Sequence, residues 1–170
     1  MTRVVWRVRP GGARWDTTVS ETVCRPAGDD DLSTLAALRY EWRVSEKGEH
    51  GLDESTFERQ MIQWMTDHRG THQGYLAARD GLDIGCAWLC VIDRVPAPAQ
   101  FVRQAGLVQS VYVRQKFRNE GVGSELIRFV IEQARLMGLS YLGLHPSERS
   151  IPFYERLGFA RYGRALELHF

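Results

Sequence analysis

The 170-residue sequence has almost no net charge: 22 Lys and Arg against 21 Asp and Glu leave +1 at pH 7, and the pI is near 7.8. No strong field of either sign draws a nucleic acid or an anionic membrane surface, so neither is an expected partner. Long hydrophobic runs are also missing. No stretch approaches the roughly 18 to 20 apolar residues that cross a bilayer. Residues 1–10 carry Arg3, Arg7 and Arg9 without the uninterrupted apolar core of a secretory signal. A cytoplasmic location is the expectation. Cysteine is scarce, with only Cys24, Cys86 and Cys90 and no Cys-x-x-Cys spacing. Cys86 and Cys90 would share one strand face, separated along the chain rather than set for a bond. All three read as small buried hydrophobes in a reducing compartment. A catalytic thiol is the alternative, and no metal is expected.

What is present has the composition of a soluble globular protein, 44% hydrophobic and 25% charged. The length suits one domain able to bury a core, and no repeat or composition break divides it. Residues 1–20, with Gly11, Gly12 and a Ser/Thr-rich end, read as an N-terminal extension with a short strand at 4–8. Residues 21–170 read as a single domain.

Within it, a strand at 21–25 precedes the helix-capping run 29–31. Leu32, Leu35, Leu38 and Trp42 recur at helical spacing and predict a helix over about 30–44. Residues 45–51 are polar and loop-like. A second helix begins at Asp53 or Ser55, where Ser55 and Glu58 have the Ser-x-x-Glu spacing of a capping box. Its apolar stripe is Phe57, Met61, Trp64 and Met65. A strand at 75–78, the hairpin signal Asp80-Gly81 and a nearly all-apolar, hence central, strand at 83–92 follow. After a loop with Pro96 and Pro98 come a strand at 107–113 and a helix over 121–137 ended by Gly138. The chain closes with a strand at 140–144, a short helix at 152–157 stopped by Gly158, and a strand at 159–168. Strand 107–113, helix 121–137 and strand 140–144 form a βαβ unit, which implies a parallel pair with a right-handed crossover. Hairpin-like links elsewhere favour a mixed sheet with helices on both faces.

The segment Arg118-Asn119-Glu120-Gly121-Val122-Gly123-Ser124 lies between the strand and helix of that unit. Amides at a helix N-terminus lack internal partners and sit at the positive end of the dipole, so the turn suits an anion. Glycines at 121 and 123 admit phosphate oxygens close to the backbone, and Arg118 and the Ser124 hydroxyl add donors. The same glycines would also serve close helix–sheet packing. A P-loop would need a lysine after the glycines, and none stands there. A dinucleotide fingerprint would need a small residue at Leu126 and a strand at the start of the sheet.

The Arg-x-x-Gly-x-Gly loop after Val111-Tyr112-Val113, and the downstream block Phe153-Tyr154-Glu155-Arg156-Leu157-Gly158-Phe159, together resemble the GCN5-related N-acetyltransferases (GNAT). Leu144-His145-Pro146-Ser147 and the element order from about 21 to 168 are similar too. The resemblance implies an α/β (α+β) fold: a mixed, mostly antiparallel central sheet, a parallel splayed strand pair, and helices on both faces. It implies acetyl-CoA as co-substrate, with its pantetheine arm along Val111, Tyr112 and Val113, Tyr112 facing away from its neighbours. The pyrophosphate would sit on the amides of Arg118, Asn119, Glu120, Gly121, Val122, Gly123 and Ser124. The acetyl group would pass to an amine of a small molecule or peptide by direct attack in a ternary complex. A backbone amide at 111–113 would polarise the thioester carbonyl. Tyr154 matches the family's acid tyrosine. His145 is a candidate base, as are Glu41, Glu46, Glu49 and His50 near the first helix, where such enzymes often build the acceptor site. Glu41, Glu46 and Glu49 beside Trp42 and Trp64 would suit a cationic acceptor with an apolar body. The chain departs from the family pattern at Asn119, Gln115 and Ser147, where glycine, proline and asparagine are common. Those departures keep a non-catalytic acyl-CoA sensor open, and the acyl group itself is unread. The last strand offers a free edge, and the family's dimers extend that to a homodimer.

Overall fold

The computed structural model describes residues 21–161 and Leu168. The expected strand at 4–8 and most of the one at 159–168 lie outside the described residues.

Five strands form one sheet in the order β1-β2-β3-β4-β5. They are β1 (Val23–Pro26), β2 (His72–Arg79), β3 (Leu82–Asp93), β4 (Gln104–Val113) and β5 (Leu142–Gly143). β1 pairs antiparallel with β2 across a long helical connection, β2–β3 and β3–β4 pair antiparallel through loops, and β4 pairs with β5 in parallel across the helical crossover. The apolar strand β3 is central, as its composition requires, since both of its faces are covered.

Helix α1 (Leu32–Tyr40) runs on into a π-helical turn at Glu41–Glu46, so the helical backbone extends past the expected end near 44. α2 (Glu54–Asp67) follows. Together they cover one face of the sheet, where Leu35, Leu38 and Met65 pack on Leu76, Cys86, Trp88 and Tyr112. The cap of α2 is Asp53, whose carboxylate accepts from Thr56 N at 3.0 Å, while Ser55 Oγ donates to Asp53. The Ser55–Glu58 box is therefore displaced by a better acceptor two residues upstream, a carboxylate at the positive helix end. α3 (Val122–Leu136) lies on the opposite face, burying Val122, Leu126, Ile127, Val130 and Ala134 against Tyr75, Ile84, Leu89 and Val108. α4 (Ile151–Glu155) packs Phe153 and Tyr154 onto that same cluster.

β5 is shorter than the strand expected at 140–144. It pairs only through Gly106–Leu142 and Leu107–Gly143. At that pinch a Cβ on Gly106 would lie 2.5 Å from Leu142 Cδ2 and 2.8 Å from Leu89 Cδ1. Glycine is what lets the two strands meet there. Beyond Leu107, β4 has no partner on its β5 side among the described residues, and the parallel pair splays apart.

Gly106→Ala should cost about 1–3 kcal/mol, the usual price of overpacking a filled core. A fall in the urea midpoint with the m-value held is the expected result, and an unchanged midpoint would mean that β5 yields freely.

Candidate active site

The register of β3 against β4 slips once. Cys86 faces Tyr112 but Trp88 faces Gln109, so Ser110 and Val111 together oppose Ala87. This is a β-bulge, and Ser110 takes the left-handed φ of 53° that such an extra residue can require. The extra residue reverses the alternation of side chains. Val108, Val111 and Val113 all pack on the α3 face, and Tyr112 packs on the α1–α2 face. Tyr112 thus faces opposite to its neighbours, as expected. A polar pair, Gln109-Ser110, inside an apolar strand is the signal that could have announced the bulge.

Past β4 the chain makes a single 3-10 turn at Gln115–Phe117 and reaches the glycine loop. Asn119 adopts φ 64° and Gly121 φ 89°, so the chain bends twice through left-handed backbone before α3 starts. Asn119 is among the few residue types that tolerate this conformation, and Gly121 does so without a Cβ. Within 118–124, Arg118 N donates to Gln115 O and Ser124 N to Gly121 O. The amides of Asn119, Glu120, Gly121, Val122 and Gly123 have no acceptor among the described residues. They form a row of donors at the positive end of a 15-residue helix, beside the open edge of β4. Arg79 pairs with Glu120 and turns its carboxylate aside to β2.

α4 lies next to this loop. A Cβ on Gly123 would stand 3.5 Å from Phe153 Cζ, an ordinary van der Waals distance, so α4 packs directly on the first turn of α3. Tyr154 is half-buried between Phe153 and Phe159, with ring centroids at 4.9 and 5.7 Å, and burial raises its phenol above the ordinary value. His145 is exposed two residues beyond β5. A groove of about 280 Å³ between α1 and α2, lined by Ala37, Tyr40 and Phe57, contains none of these residues.

A family model for the Acetyltransferase (GNAT) family matches residues 36–159, well over half of the chain. The chain belongs to the GNAT acetyltransferase family. It is 38% identical over 66 residues to a glucosamine 6-phosphate N-acetyltransferase of Trypanosoma brucei brucei, an alignment spanning 39% of this chain and 45% of that enzyme. The chain therefore spans less than half the length of that relative. Among solved structures it is similar to a predicted acetyltransferase of Clostridium acetobutylicum crystallised with acetyl-CoA (TM-score 0.72, 19% identity, 88% of this chain and 96% of that one). A Trypanosoma brucei acetyltransferase gives a TM-score of 0.67 at 24% identity over 88% and 100% of the two chains. At these identities the solved structures establish the shared fold.

In this GNAT chain the α1–α2 face of the bulge carries a network that the sequence did not announce. Tyr112 OH lies 2.7 Å from Glu46 Oε1 and 3.0 Å from Glu41 Oε1. Arg114 Nε donates to Glu41 at 2.9 Å and Nη1 to Asp83 O at 3.0 Å. The Arg118 guanidinium donates to Val113 O at 2.8 Å through Nε and pairs with Glu46 through Nη2. Burial, reinforced by the Glu46 and Glu41 acceptors, pushes the Tyr112 phenol far up. Burial works against the Glu46 carboxylate, but hydrogen bonds from Arg118 and Tyr112 outweigh it and leave the group below the usual range. Glu49 pairs with Arg43, and Trp64 stacks on His68 and meets His72 and Trp88 edge-on. The expected acidic acceptor face is in fact neutralised by arginine. Burial also raises Cys24 to about 11 and Cys86 to about 12, so both thiols stay protonated.

Because the folded pKa of Glu46 is depressed, its contribution is complete above the ordinary value of about 4.3 and fades as pH falls through the lower folded value. Urea midpoints of the wild type and Glu46→Gln should therefore converge below about pH 4, with a modest gap above it, since Glu46 keeps some exposure. A gap that widens in acid would contradict the assignment.

Proposed function

We propose that this chain is an acetyl-CoA-dependent N-acetyltransferase acting on an amine of a small molecule or peptide. The observation that carries this reading is the row of unpartnered amides from Asn119 to Gly123 at the mouth of the β4–β5 cleft. A diphosphate fits such a row, because it needs several converging donors and no metal to hold them. The free main-chain edge of β4 between Val108 and Val113 then supplies donors and acceptors to an extended amide-bearing arm. Family membership supports the same substrate. The domain would occupy residues 21–170, with 1–20 as an extension.

The reaction follows from the chemistry of the partners. A lysine-like amine has a pKa of about 10.4 and must lose a proton before it attacks the thioester carbon. An amide of the bulged segment, at 111–113, polarises the carbonyl and holds the oxyanion of the tetrahedral intermediate. Collapse breaks the C–S bond, the departing thiolate takes a proton from Tyr154, and the surplus proton on the new amide nitrogen returns to the phenolate through water. Tyr154 holds its proton at neutral pH, as any phenol does, and burial, by raising it, reserves that proton for a strongly basic acceptor such as the thiolate. His145, exposed at the end of β5, is our candidate for receiving the amine's proton through water.

Thiol release from acetyl-CoA with a panel of amines, glucosamine 6-phosphate included, tests the reading. Calorimetric binding without release on any acceptor would turn it toward an acyl-CoA sensor. Tyr154→Phe should lower kcat by about 10²-fold or more while the KM for acetyl-CoA holds. Unchanged turnover would remove Tyr154 from the mechanism.

A further inference from the structure

The charge distribution around the bulge is uneven in a way the transfer reaction does not use. On the α1–α2 face four arginines, Arg39, Arg43, Arg114 and Arg118, gather near three glutamates, Glu41, Glu46 and Glu49. Three of the arginines pair one-to-one with those carboxylates. Arg39 has no carboxylate partner among the described residues. Its one hydrogen bond there runs from Nη1 to Ser110 Oγ at 3.0 Å, and its guanidinium carbon lies 5.1 Å from the Trp42 ring centroid. A second cation, Arg43, sits over the same indole at 5.8 Å. Burial first, and then the like charge of Arg43, lower the affinity of Arg39 for its proton, and the Glu49 carboxylate, already paired with Arg43, offsets only part of this.

An unmatched, partly desolvated cation is costly to a fold. Here the fold places it on the one residue whose backbone defines the bulge, Ser110. A hydroxyl satisfies one guanidinium donor and none of the charge, leaving the planar fork able to take a bidentate oxyanion. Trp42, stacked on Tyr112 at 6.1 Å, provides a flat apolar floor beside it. The sign is opposite to what the glutamates in the sequence suggest, because each of those is already occupied.

We infer that Arg39 anchors an anionic group of the acceptor, a phosphate or carboxylate carried on the same molecule as the reacting amine. The inference rests on the transferase reading, which is what brings the thioester to the bulged segment of β4. Arg39 is a specificity-determining residue: it binds the acceptor and takes no part in proton transfer.

Paired acceptors that differ only in the anion provide the test. Glucosamine against glucosamine 6-phosphate reads phosphate, and an amino acid against its amide reads carboxylate. The wild type should favour the anionic member of at least one pair by about tenfold or more in kcat/KM, mainly through the acceptor KM. Arg39→Gln should compress that ratio toward one, and Arg39→Lys, which keeps the charge but loses the fork, should fall between them. Acetyl-CoA affinity, measured by calorimetry on each variant, separates a lost anchor from a collapsed cleft. Preference for the neutral member of both pairs, or an unchanged ratio in Arg39→Gln, overturns the inference while leaving acetyl transfer intact. If no acceptor releases thiol, the transferase reading itself fails. Calorimetric titration of the same pairs then decides Arg39 alone: an anion preference lost in Arg39→Gln upholds it, and equal affinities overturn it.

Discussion

One extra residue in β4 governs this molecule. Placing Ser110 and Val111 opposite the single residue Ala87 breaks the two-residue alternation that a strand otherwise imposes. Without it, Val111 and Val113 would face the α1–α2 layer, and Tyr112 would enter the α3 core. With it, two valines seal the cleft from the α3 side while Tyr112 delivers a phenol to Glu41 and Glu46 on the other. The pairing with β3 resumes after the bulge, so the strand keeps its place in the sheet while its edge toward β5 is left open.

That open edge and the helix-start loop are joined by the arginine network. Arg114 ties the end of β4 to Glu41 and to the β3 carbonyl of Asp83, and Arg118 ties the loop to Glu46 and back to Val113. Both glutamates belong to the π-helical turn that continues α1. The wide turn lets Glu41 and Glu46, five residues apart, converge on a single phenol, a spacing that a regular α-helix rotates away from one line. The α1–α2 layer and the helix-start loop are therefore not independent parts. They share side chains, and a change in one is felt electrostatically in the other.

Much of this was legible before the structure. The apolar run of β3, the Asp80-Gly81 hairpin and the amphipathic stripe of α3 each carry one strong period, and each element appears where that period places it. The shape of the glycine loop was legible because glycine positions at a helix start dictate the backbone there. The pairing of Glu41, Glu46 and Glu49 was not. Their partners Arg114 and Arg118 lie some seventy residues away, and Arg43 is closer, yet local pattern says nothing of which charges meet in space. The same limit hid Arg39, which looks like any solvated helix arginine until Ser110 is brought beside it. The overestimate of β5 has a different cause: its sequence is strand-like through Leu144, but pairing stops where its neighbour diverges. Asp53 displaced the Ser55 cap because two adequate caps stood two residues apart, and a carboxylate is the stronger acceptor.

The contact at Gly106 has one more consequence. Where β4 and β5 touch, at Gly106–Leu142 and Leu107–Gly143, is the vertex of an angle, and the free side of β4 runs from there to Val113. Six residues at about 3.3 Å each make that side about 20 Å long. The vertex and the row of amides are thus the two ends of one gauge, to which the arm of the proposed co-substrate would have to measure. A glycine small enough for two strands to close on it sets the zero of that scale.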